Sequence, residues 1–354
     1  MKGKKIILKI GRKIIGHGQS VFIVAEISAN HLQNLSRAKK LVELACRAGA
    51  DAVKIQTYTP DTLTLNSSKE QFQIKVNTAW KGRTLYQLYK KAYMPWEWYG
   101  PLEKITKRYG KILFSTAYDD LSVDFLEKMN TPVYKIASFE LPDVELLKKV
   151  AKTKKPVIIS RGMASLAELS EAISVLKRSG AKQIAVLHCV SSYPAKPEEM
   201  NLKTVPDIAK KFKVVSGLSD HSLTISAAVA SVALGANIIE KHFTLRRADG
   251  GFDAAFSLEP KELKEMIKAI RETEKAIGKV SYKTGKRENE NKPFRRSLWA
   301  VRSVKKGEKF TLENVGRFRP GHGLPIKFLP KIFGKKAKKD IDFATPLEWS
   351  LIGK

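Results

Sequence analysis

Residues 214–244, VVSGLSDHSLTISAAVASVALGANIIEKHFT, hold two short apolar runs, 214–221 and 237–244, joined by a stretch with helical patterning. Continuous Val/Ile/Leu runs of this length predict parallel strands whose outer face is covered by helices. Both runs end in polar residues, Ser219-Asp220-His221 and Glu240-Lys241-His242. Six further runs precede them: FIVAEI (22–27), AVKIQT (52–57), ILFST (112–116), VYKIAS (133–138), PVIISRG (156–162) and IAVLHCV (184–190). A helical pattern follows each run, and eight successive βα units predict an α/β TIM (β/α)8 barrel rather than a doubly wound sheet. Helix boundaries agree with this reading. Ser165-Leu-Ala-Glu168 is a capping box, and Gly180 stops the helix of 166–178.

Ahead of the barrel, KKIILKIGRKIIGHG (4–18) has apolar residues on both sides of Gly11, which predicts a hairpin closing the barrel floor. The second βα connection, from Tyr58 to about Tyr99, is far longer than a barrel needs and contains WKGRTLYQLYKKAYMPWEWYG. A long loop at the C-terminal end of a strand is read as functional, here as a lid. After Gly278 the pattern turns polar, KVSYKTGKRENENKPF, which is an interdomain linker. The expected organisation is 1–278 hairpin and barrel, 279–293 linker, and 294–354 a small C-terminal module. Within that module RRSLWAVRSVKKGEKFTLENVGRFRPGHGLP reads as a strand, a KKGE turn, a short helix capped by Thr311, and a Gly/Pro loop.

The 354 residues are 43% hydrophobic and 28% charged, an ordinary folded composition. Cys46 and Cys189 sit in apolar patterns and read as small buried hydrophobes, which fits a cytoplasmic protein. Residues 1–18 interleave lysines with apolar pairs, so no secretory core is expected, and no stretch is long enough to span a bilayer. The net charge of +30 suggests nucleic acid at first sight. The basic residues are spread along the chain, however, with one dense cluster at Lys335, Lys336, Lys338 and Lys339, and no reader module is recognisable. A solvated surface whose field draws in an anionic substrate is the better reading.

TIM-barrel enzymes place their chemistry at the C-terminal strand ends. Those ends hold Glu26, Lys54, Gln56, Ser115, Thr116, Lys135, Ser138, Ser160, Arg161, His188, Ser219, Asp220, His221, Glu240 and His242. So many polar groups in apolar strands imply a pocket for anions and a metal. His221 and His242 end adjacent strands and are candidate ligands for a metal with open positions. Lys54 and Gln56 alternate and face the barrel mouth together, and Lys135 with Ser138 repeats the idea. Lysines so placed either hold phosphate and carboxylate groups or form Schiff bases.

The segments AEISANH (25–31), KIQTY (54–58), FSTAY (114–118), YKIAS (134–138), HCVSSYP (188–194), GLSDH (217–221), EKHFT (240–244) and GGFDAAFS (250–257) resemble the sialic-acid synthase family in order and spacing. AEISANH and the WKGRTLYQ loop are most similar to its pseudaminic acid branch. RRSLWAV and RPGHGL resemble the antifreeze-like (SAF) domain of these synthases. The resemblance implies a metal-dependent transferase that condenses phosphoenolpyruvate with an amino-sugar aldehyde, 2,4-diacetamido-2,4,6-trideoxy-L-altrose for this branch. N-acetylneuraminic and legionaminic acid synthesis are the alternatives.

It also implies that His221 and His242 bind Mn2+ or Mg2+, and that Lys54, Gln56, Thr116, Lys135, Ser138, Ser160 and Ser219 hold phosphoenolpyruvate. Glu26, Tyr193 and Asp253 fall near the sugar or the attacking water, with Glu26 grouped with the two histidines as catalytic. Ser191-Ser192-Tyr193 departs from relatives that carry Asn in this segment, putting a hydroxyl in place of an amide. Arg319 resembles an arginine that reaches the partner subunit's site, which implies a domain-swapped homodimer with no membrane or specific nucleic-acid partner. The rival in the same fold is a metal-independent aldolase, in which the paired histidines have no purpose.

Overall fold

The computed structural model describes residues 6–75 and 81–353. Lys4 and Lys5 of the hairpin reading, and Trp80 at the head of the long-loop motif, lie outside the described residues. The chain divides after Gly278 into two compact units.

In the first unit a hairpin of β1 (Ile7–Ile10) and β2 (Lys13–Gly16) precedes eight strands: β3 (Phe22–Glu26), β4 (Ala52–Thr57), β5 (Ile112–Ala117), β6 (Tyr134–Ile136), β7 (Val157–Ser160), β8 (Ile184–Cys189), β9 (Val215–Asp220) and β10 (Ile238–His242). All eight are parallel, and β10 pairs back onto β3, so the sheet closes as a barrel and the doubly wound alternative is excluded. Strands β6 and β7 are shorter than the runs 133–138 and 156–162 suggest, because their last residues leave the ladder to form the mouth.

Alternation along each strand divides the side chains between two environments. Outward residues such as Ile23, Val53, Leu113, Ile136, Ile159 and Ile239 pack against the surrounding helices. The first inward residues, among them Phe22, Val24, Phe114, Ile158, Val215 and Ile238, form an apolar plug. Leu8, Ile10 and Ile15 of the hairpin join that plug from below, so the hairpin does close the floor. Gly217 marks the tightest point of the seam: a Cβ there would lie 2.2 Å from the Ile238 carbonyl oxygen.

The helix of 166–178 begins with the expected Ser165/Glu168 capping box. The long connection after β4 carries helices at Pro60–Leu63 and Leu85–Ala92, the second opened by a Thr84/Gln87 capping box. Tyr86 donates to Asp61 Oδ1 at 3.0 Å and Trp96 Nε1 donates to the Tyr58 carbonyl at 3.1 Å, which ties the loop to itself and to the end of β4.

The second unit pairs β11 (Ser297–Ala300) with β12 (Val315–Phe318), antiparallel, over a core of Leu298, Phe310, Ile332, Ile341 and Leu347. The helix expected after Thr311 is only a turn. Asn314 directs its amide back to the Lys309 carbonyl and Glu308 Oε1, and the chain enters β12 at once. Within the stretch read as linker, Lys286–Glu290 forms a short exposed helix with no buried face. No helix among the described residues is long and apolar enough to cross a membrane.

Because Ile10 is fully buried in the floor, Ile10→Ala is expected to cost about 2–5 kcal/mol in denaturant unfolding. Lys9→Ala on the exposed side of the same strand should change stability by less than ~0.5 kcal/mol.

Candidate active site

Above the apolar plug the inward positions turn polar, and they surround a cavity of about 440 Å3, within the ~300–1,000 Å3 typical of small-molecule sites. Lys54, Gln56, Lys135, Ser138, Ser160 and Ser219 line it, as do Tyr193, Asp253, His221 and His242. Glu26 and Thr116 stand one layer behind, fully buried, and both touch Lys54.

Four buried ionisable groups organise this floor. Lys54 Nζ lies 2.6 Å from Glu26 Oε2 and 3.5 Å from Glu240 Oε1, and donates to Thr116 Oγ1 at 3.0 Å. Lys135 Nζ donates to Ser160 Oγ at 2.8 Å and lies 3.6 Å from the same Glu240 oxygen, which also accepts from Ser219 Oγ at 3.1 Å. Glu26 Oε1 accepts the Ser28 N–H at 2.9 Å. Burial raises the Glu26 carboxyl to about 7 against the pull of Lys54. Burial also works to raise Glu240, but Lys135 and Lys54 together outweigh it and hold that carboxyl below its ordinary range. Lys54 rises because Glu240 and Glu26 overcome its burial, whereas burial prevails at Lys135 and lowers it. Such opposed shifts in a cleft mark a functional site.

The imidazoles of His221 and His242 face each other with ring centroids 5.4 Å apart. His221 Nδ1 lies 2.8 Å from the Val190 carbonyl, which can only accept, so that nitrogen carries the proton and Nε2 keeps its lone pair. His242 Nδ1 meets Ser28 Oγ at 3.3 Å. Burial lowers both pKa values, that of His242 well below the usual range with His221 and Lys54 adding to the effect. Two neutral imidazoles oriented through their Nδ1 atoms suit a metal. No group of three or more His, Cys, Asp or Glu among the described residues is placed to hold an ion unaided, so water or substrate oxygens would complete its shell. Tyr193 and Phe256 pack against the rings at centroid distances of 4.6 and 4.9 Å.

Parity also separates bystanders from the site. Asp220 turns outward and pairs with Lys241 at 2.8 Å, both fully buried. Ser115 turns outward to Thr57, 2.6 Å away, and His188 Nε2 donates to the Met200 carbonyl at 2.7 Å. Arg161 lines an adjoining depression with His188. These four belong to the list of polar strand ends but not to the cavity wall. Cys46 and Cys189 are both buried, the latter against the cavity.

Ser138 Oγ lies 3.1 Å from Ser191 Oγ, and both crowd Gly162. Gly162 has φ +47°, and a Cβ there would lie 2.2 Å from Ser138 Cβ, so only glycine fits. Arg319 lies in the second unit, exposed, next to Pro320, whose carbonyl accepts from Ser297 Oγ at 2.7 Å and Trp299 Nε1 at 2.9 Å.

Three residues escaped sequence reasoning. Glu240 stood among the strand ends without a role, although it shares strand and parity with His242. Ser28 bridges toward His242 and also bonds Asp253, whose carboxyl is raised by burial despite that bond. Glu140, raised to about 7 by burial, lines the cavity from an irregular loop that carries no periodic signal.

A closed parallel barrel with this charged mouth, joined to a separate small β unit, is an enzyme of the barrel-synthase class. The profile of the NeuB family matches residues 41–282 and that of the SAF domain residues 295–352. The chain belongs to the NeuB family and is a transferase of the sialic-acid synthase type. It is 44% identical to the pseudaminic acid synthase of Campylobacter jejuni over 94% of this chain and 96% of that one. Against the N,N'-diacetyllegionaminic acid synthase of the same species it is 38% identical over 91% and 98%. Among solved structures, the N-acetylneuraminic acid synthetase of Leptospira borgpetersenii in complex with citrate superposes with TM-score 0.72 at 30% identity, over 81% of this chain and 95% of that one.

Glu240 is the carboxylate that both lysines share, so Glu240→Gln should lower kcat/KM by about 10²-fold or more, the scale of a misplaced binding group. Lys135, already depressed by burial, would lose its chief compensating charge and titrate lower still. The alkaline limb of the pH–rate profile should therefore move to lower pH in the variant, while its circular dichroism stays that of the parent.

Proposed function

We propose that the chain is a cytoplasmic pseudaminic acid synthase that condenses phosphoenolpyruvate with 2,4-diacetamido-2,4,6-trideoxy-L-altrose. The product is a nine-carbon 2-keto acid, and inorganic phosphate is released. The observation that carries this reading is the pairing, in one cavity, of two ammonium groups among hydroxyls with two neutral imidazoles. The higher identity to the pseudaminic than to the legionaminic enzyme supports the branch.

In this reading Lys54, Lys135, Gln56, Ser138, Ser160 and Ser219 hold the phosphate and carboxylate, and Thr116 positions Lys54. Their work is preorganisation of charge rather than covalent chemistry. His221 and His242 would hold Mn2+ or Mg2+, which would supply Lewis acidity toward the sugar aldehyde. C3 of phosphoenolpyruvate forms the new bond to the aldehyde carbon, and the carbonyl oxygen ends as a hydroxyl. Water adds at C2, and the tetrahedral carbon then expels phosphate by C–O cleavage. Glu26 reaches that water through Lys54, since its own oxygens already face Lys54 and the Ser28 N–H. Tyr193 and Asp253 border the sugar. The ion-paired lysines favour this chemistry over a Schiff-base aldolase.

Offered the trideoxy altrose, its legionaminic counterpart and N-acetylmannosamine in turn, the enzyme should turn over the first fastest by mass spectrometry of the keto acid. Excess chelator, His221→Ala or His242→Ala should each abolish product in a protein that still melts cooperatively. Full activity under any of these conditions would remove the metal from the mechanism.

The second unit completes the site in trans. The polar stretch 279–293 lets it leave its own barrel, and Arg319 projects from a loop pinned to Ser297 and Trp299. In a domain-swapped homodimer the partner's Arg319 would meet an acetamido oxygen of the sugar. Arg319→Ala should weaken sugar use more than phosphoenolpyruvate use. Mixed with His242→Ala protein it should regain activity, because one hybrid site is then intact. No recovery where subunits demonstrably exchange, or an active monomer, would refute the trans arrangement.

A further inference from the structure

The cavity is lined by two kinds of surface with different origins. Barrel strands and the short loops that follow them supply its charged groups and its serines. The long connection after β4 supplies Tyr58, Leu63, Leu88, Tyr89 and Ala92, so every described residue of that loop on the cavity is apolar or aromatic. The helix Leu85–Ala92 is sided accordingly. Leu88 and Ala92, one turn apart, face the cavity, while Gln87, Lys90 and Lys91 line a separate depression. The loop is held by the Tyr86–Asp61 and Trp96–Tyr58 hydrogen bonds and by ring contacts of Tyr58 with Tyr89 and Tyr118 at 5.8 and 5.1 Å. These contacts hold the described parts of the loop to one another and to the end of β4.

In the proposed reading the strand ends meet the phosphate, carboxylate and aldehyde, which leaves the far carbons of the sugar for the loop. Leu63, Leu88 and Ala92 offer no side-chain hydrogen-bonding group, so the part of the wall they form, beside the phenols of Tyr58 and Tyr89, gains from methyl groups and strands a hydroxyl. We propose that Leu63, Leu88 and Ala92 form the specificity-determining surface of the site, selecting an amino-sugar aldehyde that carries a methyl group at C6 rather than a hydroxymethyl. This rests on the site being a sugar-aldehyde synthase, and it assigns the discrimination to the loop rather than to the barrel.

The test uses the full-length enzyme with 2,4-diacetamido-2,4,6-trideoxy-L-altrose and its 6-hydroxy counterpart, which differ by one oxygen. The parent should favour the 6-deoxy sugar by about 10²-fold in kcat/KM, the usual scale for one such group in an apolar pocket. Leu88→Asn should cut that ratio by about tenfold, Ala92→Ser should cut it in the same direction, and Leu88→Met should preserve it. Ala92→Ser adds a single atom and keeps the experiment readable if Leu88→Asn fails to fold. A ratio that stays within twofold in the variants, whatever happens to either rate alone, overturns the assignment. Should the parent turn over neither sugar, the functional reading fails first. Should it favour the 6-deoxy sugar while the variants leave the ratio untouched, only the loop's role fails.

Discussion

Everything at the mouth of this barrel depends on one arrangement of buried charge, Glu26–Lys54–Glu240–Lys135. Isolated, any of these groups would be intolerable in a protein interior. Together they set two carboxyls against two ammonium groups, with Glu240 shared between the lysines and Glu26 raised by burial to about 7. Removing one partner of such a set is far worse than never having had it, because the survivor stays buried and uncompensated. The carboxyls therefore balance the two lysines within the cavity floor. They keep two ammonium groups charged and in place while the cavity holds no ligand, and they keep those groups from repelling one another. In the proposed reading a phosphate or carboxylate would find donors already oriented, without the reorganisation that water would require.

Strand register is what makes the lattice possible. Glu26 is paired with Lys54 across β3–β4, His242 with Glu26 across β10–β3, and Glu240 with Ser219 across β10–β9. A slip of one residue at any of these seams would turn the polar residue outward among the helices and bring a residue of the outer face to the mouth. The same alternation explains how far the sequence could be read. The eight strands and their order are legible because each is an apolar run, and Lys54, Lys135, His221 and His242 are legible because they are polar at the ends of such runs. The distinction between Ser219 and Asp220, or between Thr116 and Ser115, needs the inward parity, which only the closed barrel establishes. Glu140 and Ser28 sit on irregular backbone, where no period exists to be read. The helix expected after Thr311 failed for a related reason, since Asn314 bonds back to the preceding backbone and competes with helix formation.

The barrel also keeps strength and chemistry apart along its axis. The lower layers and the β1–β2 hairpin form an apolar plug beneath the mouth. The polar layer above can then be selected for function at some energetic cost, the usual tension between activity and stability. Gly162 and Gly217 are the points where this division leaves no room. One lets the backbone pass under Ser138 and Ser191, and the other lets β9 approach β10.

That close seam bears directly on the imidazoles. His221 follows β9 and His242 ends β10, and directly behind them, on the outer face, Asp220 and Lys241 form a fully buried ion pair at 2.8 Å. Lys241 also donates to the carbonyls of Ser222 and Thr224, and Asp220 Oδ1 accepts the Ser222 N–H at 2.8 Å. The chain leaving His221 is thus anchored to the strand that carries His242. Residues that alternate with the ligand candidates, one for one, fix the two strands against each other. The 5.4 Å between the rings is consequently set by backbone and outward-facing charge, so a bound ion would meet its ligands in place rather than gather them.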